Sequence, residues 1–154
     1  MRNEYFKTYL TYCLIAVGFF IAFVVGKTKW ENIQVAKVIA SEACNQGVIG
    51  MVAVANVIAN RAKATNKTPY ETVTKPYQFT GYTHPRKEKI YQGCKSKADK
   101  IAKNLMKLED ITKGADHYAN LSFAGNKKWI RAYAKTAKIG EHTFFTSKIQ
   151  RHRK

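Results

Sequence analysis

EACNQGVIGMVAVANVIANR, residues 42–61, is the stretch of sequence that decides the fold. From Gly47 onward its apolar residues recur at helical spacing and continue almost all round the helix, which predicts a central buried helix over about Gly47–Ala64. Asn56 and Asn60, four residues apart, line one edge of this helix. They either contact a substrate or satisfy buried backbone groups of a neighbouring element.

A second helix is predicted just before it, over about Glu31–Cys44. Val38 and Ile39 lie four and three residues before Glu42, so the carboxyl group shares their apolar face. A carboxylic acid removed from water favours its neutral form, because burial penalises the charged one. A protonated acid beside a cleft can protonate the leaving oxygen of a glycosidic bond. The alternative is a Glu paired with a nearby Lys or Arg.

The run from Glu42 to Arg61 resembles, without a gap, the SleB/CwlJ-type cell-wall hydrolase family. The shared features are a Glu-Ala pair, a glycine eight residues after the Glu, and a Val-Ala-Val-Ala-Asn-Val-Ile-x-Asn-Arg segment. Short segments that resemble the same family follow in the same order, up to about Phe145: Gln78-Phe79, GADHYAN at 114–120, Trp129, and IGEHTF at 139–144.

This resemblance implies a mainly α, lysozyme-like α+β fold with a small irregular or β region. It implies cleavage of peptidoglycan between N-acetylmuramic acid and N-acetylglucosamine, by hydrolysis or by lytic transglycosylation, with Glu42 as the general acid. The family has a Gly-Glu pair shortly after the catalytic helix, and here Asn45 and Gln46 occupy those places. A single acid favours transglycosylation, because one residue can act as acid and then as base while a hydroxyl of the sugar itself attacks.

Aromatic, amide and imidazole side chains of the later segments are the candidates for substrate contacts. Rings can stack on sugars, amides can bind acetamido groups, and histidines can orient the site; packing in the core is the alternative for each. The predicted substrate-binding set is Gln78, Tyr82, His117, Tyr118, Asn120, Trp129 and His142.

The rest of the chain gives weaker patterns. Residues 65–94 contain all three prolines and predict irregular structure, with short strands around Tyr77–Tyr82. An amphipathic helix is predicted over about Lys95–Leu108. Gly114–Phe145 has a composition typical of a binding surface on loops, and residues 148–154 predict a basic tail.

An uncharged run near the N-terminus, Tyr9–Val25, predicts a transmembrane helix or signal anchor over residues 1–27. Basic residues flank it on both sides, so the positive-inside rule barely decides the orientation. No small-x-small cleavage site follows, which favours an uncleaved anchor over a cleaved signal peptide. The hydrolase domain is then 28–147, and cell-wall chemistry would place it outside the cytoplasm, on the periplasmic or wall side of the membrane.

The net charge of +17 indicates a polyanionic partner or an anionic surface. The lysines are dispersed, so nucleic acid is not expected; peptidoglycan, the membrane and anionic wall polymers are the predicted partners, without a cofactor. Two alternatives stay open: a basic membrane-anchored protein that binds the wall or nucleic acid without catalysis, and a zinc-dependent hydrolase. The second would draw its ligands from His84, His117, His142 and Glu42, but no metal-binding spacing supports it.

The three cysteines, Cys13, Cys44 and Cys94, form no CxxC pair and allow at most one internal bridge. A Cys44–Cys94 bridge fits an oxidising compartment. Thiol exchange with Cys13 could instead gate the enzyme if the anchor leaves the membrane, as in the signal-anchor-release endolysins of phages, or all three thiols are inert. A phage lysis protein and a bacterial envelope enzyme both remain open.

Overall fold

The computed structural model describes residues 2–124 and 128–147. The fold is mostly helical with one small antiparallel sheet, as predicted. Helix α1 spans Arg2–Ala43 and leads through a 3-10 turn, Cys44–Gln46, into α2, Gly47–Thr65. Shorter elements follow in the order α3 (Pro69–Thr74), α4 (Thr80–Thr83), α5 (Lys87–Asn104) with a 3-10 turn (Leu105–Lys107), β1 (His117–Asn120), α6 (Lys128–Ala132), β2 (Ala134–Ile139) and β3 (His142–Thr146).

The chain divides into two compact units, Met1–Glu31 and Asn32–Lys154. The first consists of the N-terminal part of α1. This part is long and apolar enough to cross a membrane by length and composition, and its most apolar window has no buried residue. A signal sequence meets the same criteria, so the anchor over residues 1–27 stays a prediction.

The second unit packs around α2, which confirms the predicted central helix. Val54, Val57 and Ile58 on α2 are fully buried, as are Val38 and Ile39 on α1. Each such side chain contributes about 1.5–3 kcal/mol by leaving water. α2 contacts α3, α5 and β2, so these three elements are positioned against one helix.

A turn at 76–78 and the short helix α4 replace the strands predicted around Tyr77–Tyr82, and that prediction was wrong. Thr68 caps α3 by accepting from the backbone N–H of Glu71, whose side chain accepts from the Thr68 N–H in return. With Pro69 in the first turn, this capping box explains why the helix starts there. The helix predicted from Lys95 begins earlier, at Lys87, and is interrupted by non-helical backbone at Cys94.

The sheet lies in the segment for which binding loops were predicted. Its order is β1-β3-β2, with all pairs antiparallel and β3 in the centre. Tyr118 pairs with Phe144, and Asn120 with His142. Gly140, with φ of +56°, forms the tight turn between β2 and β3.

Asn56 and Asn60 attach the loop that leads into β1, so they satisfy backbone groups rather than line the cleft. Asn56 donates to the carbonyl oxygen of Glu109 at 3.0 Å and accepts from the N–H of Ile111 at 3.1 Å. Asn60 donates to the carbonyl oxygen of Ala115 at 2.9 Å. These bonds hold the start of β1 against the central helix.

Cys44 and Cys94 form a disulfide with their Cα atoms 6.2 Å apart. It joins the turn after α1 to the kink of α5 and leaves Cys13 free. Of the three options for the cysteines, the structure therefore contains the Cys44–Cys94 bridge. The predicted basic tail, 148–154, lies outside the described residues.

Candidate active site

A cleft of about 400 Å³ in the second unit exposes the end of α1. It brings together most of the residues predicted for the site. Those that line it are Glu42, Gln78, His117, Tyr118, Asn120 and Trp129. Tyr82 and His142 do not line it.

Glu42 is half-buried, and one of its oxygens is held by the start of α4. The Thr80 hydroxyl donates to Oε1 at 3.1 Å and the backbone N–H of Gly81 donates to it at 2.5 Å. Because Oε1 accepts both bonds, a protonated carboxyl group carries its proton on Oε2. The orientation of the acid is therefore fixed before any substrate arrives.

Gly81 is a site residue that the sequence did not reveal. A Cβ atom at this position would lie 2.9 Å from Oε1 and 3.0 Å from Cγ of Glu42. The Glu42 side chain would have to shift to admit it, so the observed close approach of the α4 backbone to the acid needs glycine. The two residues are far apart in sequence, and no local pattern marked the contact.

Tyr118 lies within hydrogen-bonding reach of Glu42. Burial raises the pKa of the Tyr118 hydroxyl well above its usual value, the Glu42 carboxyl raises it further, and Arg61 opposes both. The phenol therefore stays neutral and can donate to the carboxylate. Its ring packs 5.1 Å from the ring of His142 and 5.8 Å from that of Phe144, measured between centroids.

His142 lies behind Tyr118 rather than in the cleft. Burial lowers the pKa of its imidazole, although the carboxyl groups of Glu42 and Glu141 oppose this. Its Nδ1 atom is buried and has no hydrogen-bond partner within the described residues. Tyr82 packs partly against the hydrophobic core, with the Lys87 ammonium 4.7 Å from its ring centroid.

His117 and Trp129 form one aromatic wall of the cleft. Their ring centroids are 5.4 Å apart, and Trp129 also meets Phe145 edge-on at 5.5 Å. His117 Nδ1 is 2.8 Å from Oδ1 of Asp116, which orients the imidazole. Burial alone would raise the pKa of Asp116, but hydrogen bonds from Ser147 and His117 outweigh it and lower the pKa.

The amides of Gln78 and Asn120 lie at the cleft but already have protein partners. Gln78 Oε1 accepts from Arg61 Nη1 at 3.1 Å. Asn120 donates to Glu141 at 3.1 Å and accepts from the Ser122 N–H at 3.0 Å. Both side chains are therefore held in fixed orientations at the surface of the cleft.

Arg61 is the last residue of the run 42–61. The sequence predicted it as part of the family motif but not as a site residue. Its Nε donates to the carbonyl oxygen of Asp116, and its guanidinium stacks 4.8 Å from the Phe79 ring centroid. Burial lowers its pKa, while Tyr118, Asp116 and Glu42 raise it. A guanidinium keeps its charge in such a site, so a fixed cation stands near Glu42. An arginine directly after a long run of apolar residues was the sequence signal that could have identified it.

Gln46, at the place of the second acidic residue of the family, is engaged elsewhere. Its Oε1 accepts from the backbone N–H of Glu141, in the turn between β2 and β3, at 2.9 Å. Within residues 2–124 and 128–147, no three His, Cys, Asp or Glu side chains are close enough to share a metal ion.

Comparisons with known proteins agree with the predicted family and fold. A model of the cell wall hydrolase family matches residues 45–145, a range that begins just after Glu42. The catalytic domain of the germination-specific lytic transglycosylase SleB from Bacillus anthracis is 29% identical, with 75% of this chain and 94% of that chain covered and a TM-score of 0.63.

The crystal structure of the catalytic domain of the Bacillus cereus SleB protein is 30% identical over 76% of this chain and 91% of that chain, also with a TM-score of 0.63. No curated protein matches the chain. The SleB/CwlJ-type resemblance is thereby confirmed. The chain belongs to the cell wall hydrolase family.

Proposed function

We propose that this protein cleaves peptidoglycan between N-acetylmuramic acid and N-acetylglucosamine, with Glu42 as the general acid. The observation that carries the proposal is the carboxyl group at the cleft, with Oε1 held by Gly81 and Thr80. This leaves Oε2 to carry the proton for the glycosidic oxygen. A positioned acid of this kind accelerates bond cleavage by about 10²–10⁴-fold.

The surroundings of Glu42 suit both halves of a proton transfer. After Glu42 has protonated the leaving oxygen, its carboxylate can accept from Gly81, Thr80 and Tyr118. The guanidinium of Arg61 also lies close enough to interact with this carboxylate by charge. The same carboxylate is then positioned to take a proton back.

We infer that lytic transglycosylation is the reaction, rather than hydrolysis. Glu42 is the carboxylate among the described residues that line the cleft. It would protonate the glycosidic oxygen as the C1–O bond breaks, and then remove the proton of the C6 hydroxyl of muramic acid as that oxygen bonds to C1. The product is a 1,6-anhydro sugar. The Bacillus anthracis neighbour is itself described as a lytic transglycosylase, which supports this choice.

The cleft walls supply the proposed substrate contacts. His117 and Trp129 offer ring faces to the sugars, and Gln78 and Asn120 offer amides to the acetamido groups. Because Tyr82 does not line the cleft, no sugar contact is proposed for it. His142, packed on Tyr118, is proposed as a positioning residue, together with Tyr118 at the acid itself.

The proposed setting is the outer side of a membrane. Residues 1–27 would anchor the protein and residues 28–147 would form the hydrolase domain, attracted to acidic wall polymers by its positive charge. The Cys44–Cys94 disulfide supports an oxidising compartment outside the cytoplasm.

Zymography on purified peptidoglycan, comparing Glu42→Gln with the parent protein, tests the central proposal. Glutamine keeps the acceptor oxygen for Gly81 and Thr80 but cannot donate a proton as an acid. We expect clearing by the parent and by Glu88→Gln, a control at an exposed glutamate on α5, and none by Glu42→Gln. Equal clearing by all three proteins would refute the role of Glu42.

Mass spectrometry of the digest separates the two reactions. Muropeptides ending in 1,6-anhydromuramic acid are expected, and reducing-end muramic acid without the anhydro form would contradict transglycosylation. If the parent protein binds the wall but produces no fragments, the non-catalytic binding alternative is favoured instead.

A further inference from the structure

Tyr77 stands at the rim of the cleft with its side chain wholly in water. Its relative exposure is 105%, and its φ is +62°. A left-handed backbone costs an L-residue with a side chain about 1–2 kcal/mol. A wholly exposed ring recovers none of that cost by burial within the protein. Backbone strain at a ligand-binding cleft is a recognised mark of a functional position.

The strain arises from a tight turn over residues 75–78. The N–H of Gln78 donates to the carbonyl oxygen of Lys75 at 3.2 Å, and Pro76 occupies the second position. The third position of such a type II turn requires positive φ and normally holds glycine or asparagine. Here it holds Tyr77, so a bulky aromatic residue occupies the place where the backbone tolerates it least.

Arg61 holds the end of this turn by hydrogen bonds to Gln78. Its Nη1 donates to both the carbonyl oxygen and Oε1 of Gln78, each at 3.1 Å, and its guanidinium stacks on Phe79. Arg61 is in turn bonded to the backbone of Asp116. Through Arg61, the end of the turn is therefore connected to the backbone of Asp116. Tyr77 projects from the turn into water.

Phe123 is a second exposed ring on the same cleft. It is 86% exposed and lies in the turn that follows β1. Asn120 holds that turn, since its Oδ1 accepts from the Ser122 N–H at 3.0 Å and its carbonyl oxygen accepts from the Phe123 N–H at 3.1 Å. Glu141 fixes the Asn120 side chain in turn. Two separate elements thus present exposed aromatic rings to one cleft.

We propose that Tyr77 and Phe123 form an aromatic rim that holds N-acetylhexosamine rings of the glycan strand at the mouth of the cleft. A pyranose ring has apolar C–H faces, and an acetamido group adds a methyl; both gain by leaving water against an aromatic face. The identity of the ligand rests on the proposed function. The rim explains why two exposed aromatic rings line the same cleft as the proposed acid.

Binding to insoluble peptidoglycan tests the rim without requiring cleavage. The full chain in detergent micelles, carrying Glu42→Gln so that the wall is not cut, is sedimented with the wall and the unbound fraction is measured. We expect Tyr77→Asn and Phe123→Ala each to weaken binding about tenfold, a change of about 1.4 kcal/mol. Tyr77→Phe, which keeps the ring, and Ile49→Ala, a control at an exposed residue outside the cleft, are expected to bind like the parent.

Thermal denaturation of Tyr77→Asn supplies an independent readout. Asparagine tolerates positive φ, so the variant should melt at the same temperature as its parent or about 2 °C higher. A lower melting temperature would mean that Tyr77 serves packing, and it would overturn the proposal. Unchanged binding by Tyr77→Asn and Phe123→Ala, or no binding by the parent, would overturn it as well.

The outcomes separate the rim from the catalytic proposal. If the rim variants lose binding but the enzyme with Glu42 intact cuts no glycan, the rim stands and the proposed function fails. If that enzyme cuts glycan while the rim variants bind normally, the proposed function stands and the rim proposal fails.

Discussion

The backbone N–H of Gly81 donates to Oε1 of Glu42 at 2.5 Å, and a Cβ on Gly81 would lie 2.9 Å from that same oxygen. A side chain on residue 81 would therefore disturb the same contact that orients the acid. α4, a helix of a single turn at Thr80–Thr83, matters because it brings this N–H to the end of α1.

Gly81→Ala should displace the Glu42 carboxyl group and reduce activity. An added Cβ would press on Oε1 and Cγ of Glu42, and misplacing a catalytic group by about 1 Å can cost about 100-fold in rate. We expect a loss of ten- to 100-fold in peptidoglycan release, with little change in melting temperature. Gly93→Ala is the matched control, because a Cβ there meets nothing within 4 Å. Full activity in Gly81→Ala would contradict the positioning role.

Tyr118→Phe should lower kcat while leaving KM nearly unchanged. The substitution removes the hydroxyl that can donate to Glu42 but keeps the ring that packs on His142 and Phe144. Losing one preorganised donor costs about 100- to 1000-fold in rate where it stabilises developing charge. Turnover of solubilised glycan strands at saturating concentration measures it.

The pH profile of the parent gives a check on Tyr118. Burial and the Glu42 carboxyl raise the pKa of Tyr118 above its usual value near 10. Between pH 5 and 10 the phenol should therefore stay protonated, and the activity ratio of parent to Tyr118→Phe should stay constant. A ratio that collapses toward one within this range would count against the donor role.

How much of this site could be predicted depended on the sequence distance between its parts. Glu42 was identified because it lies on the face of Val38 and Ile39 and opens a long run with family resemblance. Gly81 contributes through a contact across 39 residues, and Arg61 through one with Asp116 across 55. No local pattern encodes such contacts.

The strands β2 and β3 were not predicted, for a different reason. In β3, Thr143, Phe144, Phe145 and Thr146 are all buried, so the alternation of apolar and polar residues that marks a half-buried strand is absent. β2 reads AKTAKI and has only one large apolar residue, Ile139. The long helices were predictable because helical spacing in α2 and the second half of α1 is nearly unbroken.

Asp110→Asn should reduce the sensitivity of the fold to acid. Burial alone would raise the pKa of Asp110, but hydrogen bonds from Thr112, Asn60 and Gly114 outweigh it and lower the pKa. A carboxyl group whose pKa is lower in the folded state stabilises the fold above its unfolded pKa, about 3.9. That stability is lost as the pH falls from there through the folded pKa.

The melting temperature of the parent is therefore expected to fall slightly from pH 7 to 5, because the pKa of His142 is lowered in the folded state, and to fall further below about pH 4. Asp110→Asn should start lower at pH 7 and fall less steeply, because the amide does not titrate. Some acid sensitivity should remain, since hydrogen bonds also lower the pKa of Asp116. Parallel curves for the two proteins, recorded by thermal denaturation over this range, would exclude a contribution from Asp110.

Gln46→Glu places an acidic residue where the family has one, and it should leave the product unchanged. Oε1 of Gln46 accepts from the Glu141 N–H at 2.9 Å, and a carboxylate oxygen can accept the same bond. The new carboxyl group would therefore stay at the turn between β2 and β3 rather than supply a base for water. We expect the ratio of anhydro to reducing ends in the digest to match that of the parent by mass spectrometry. A marked rise in reducing ends would show that position 46 reaches the reaction, and that this enzyme lacks a hydrolytic base because it carries Gln46.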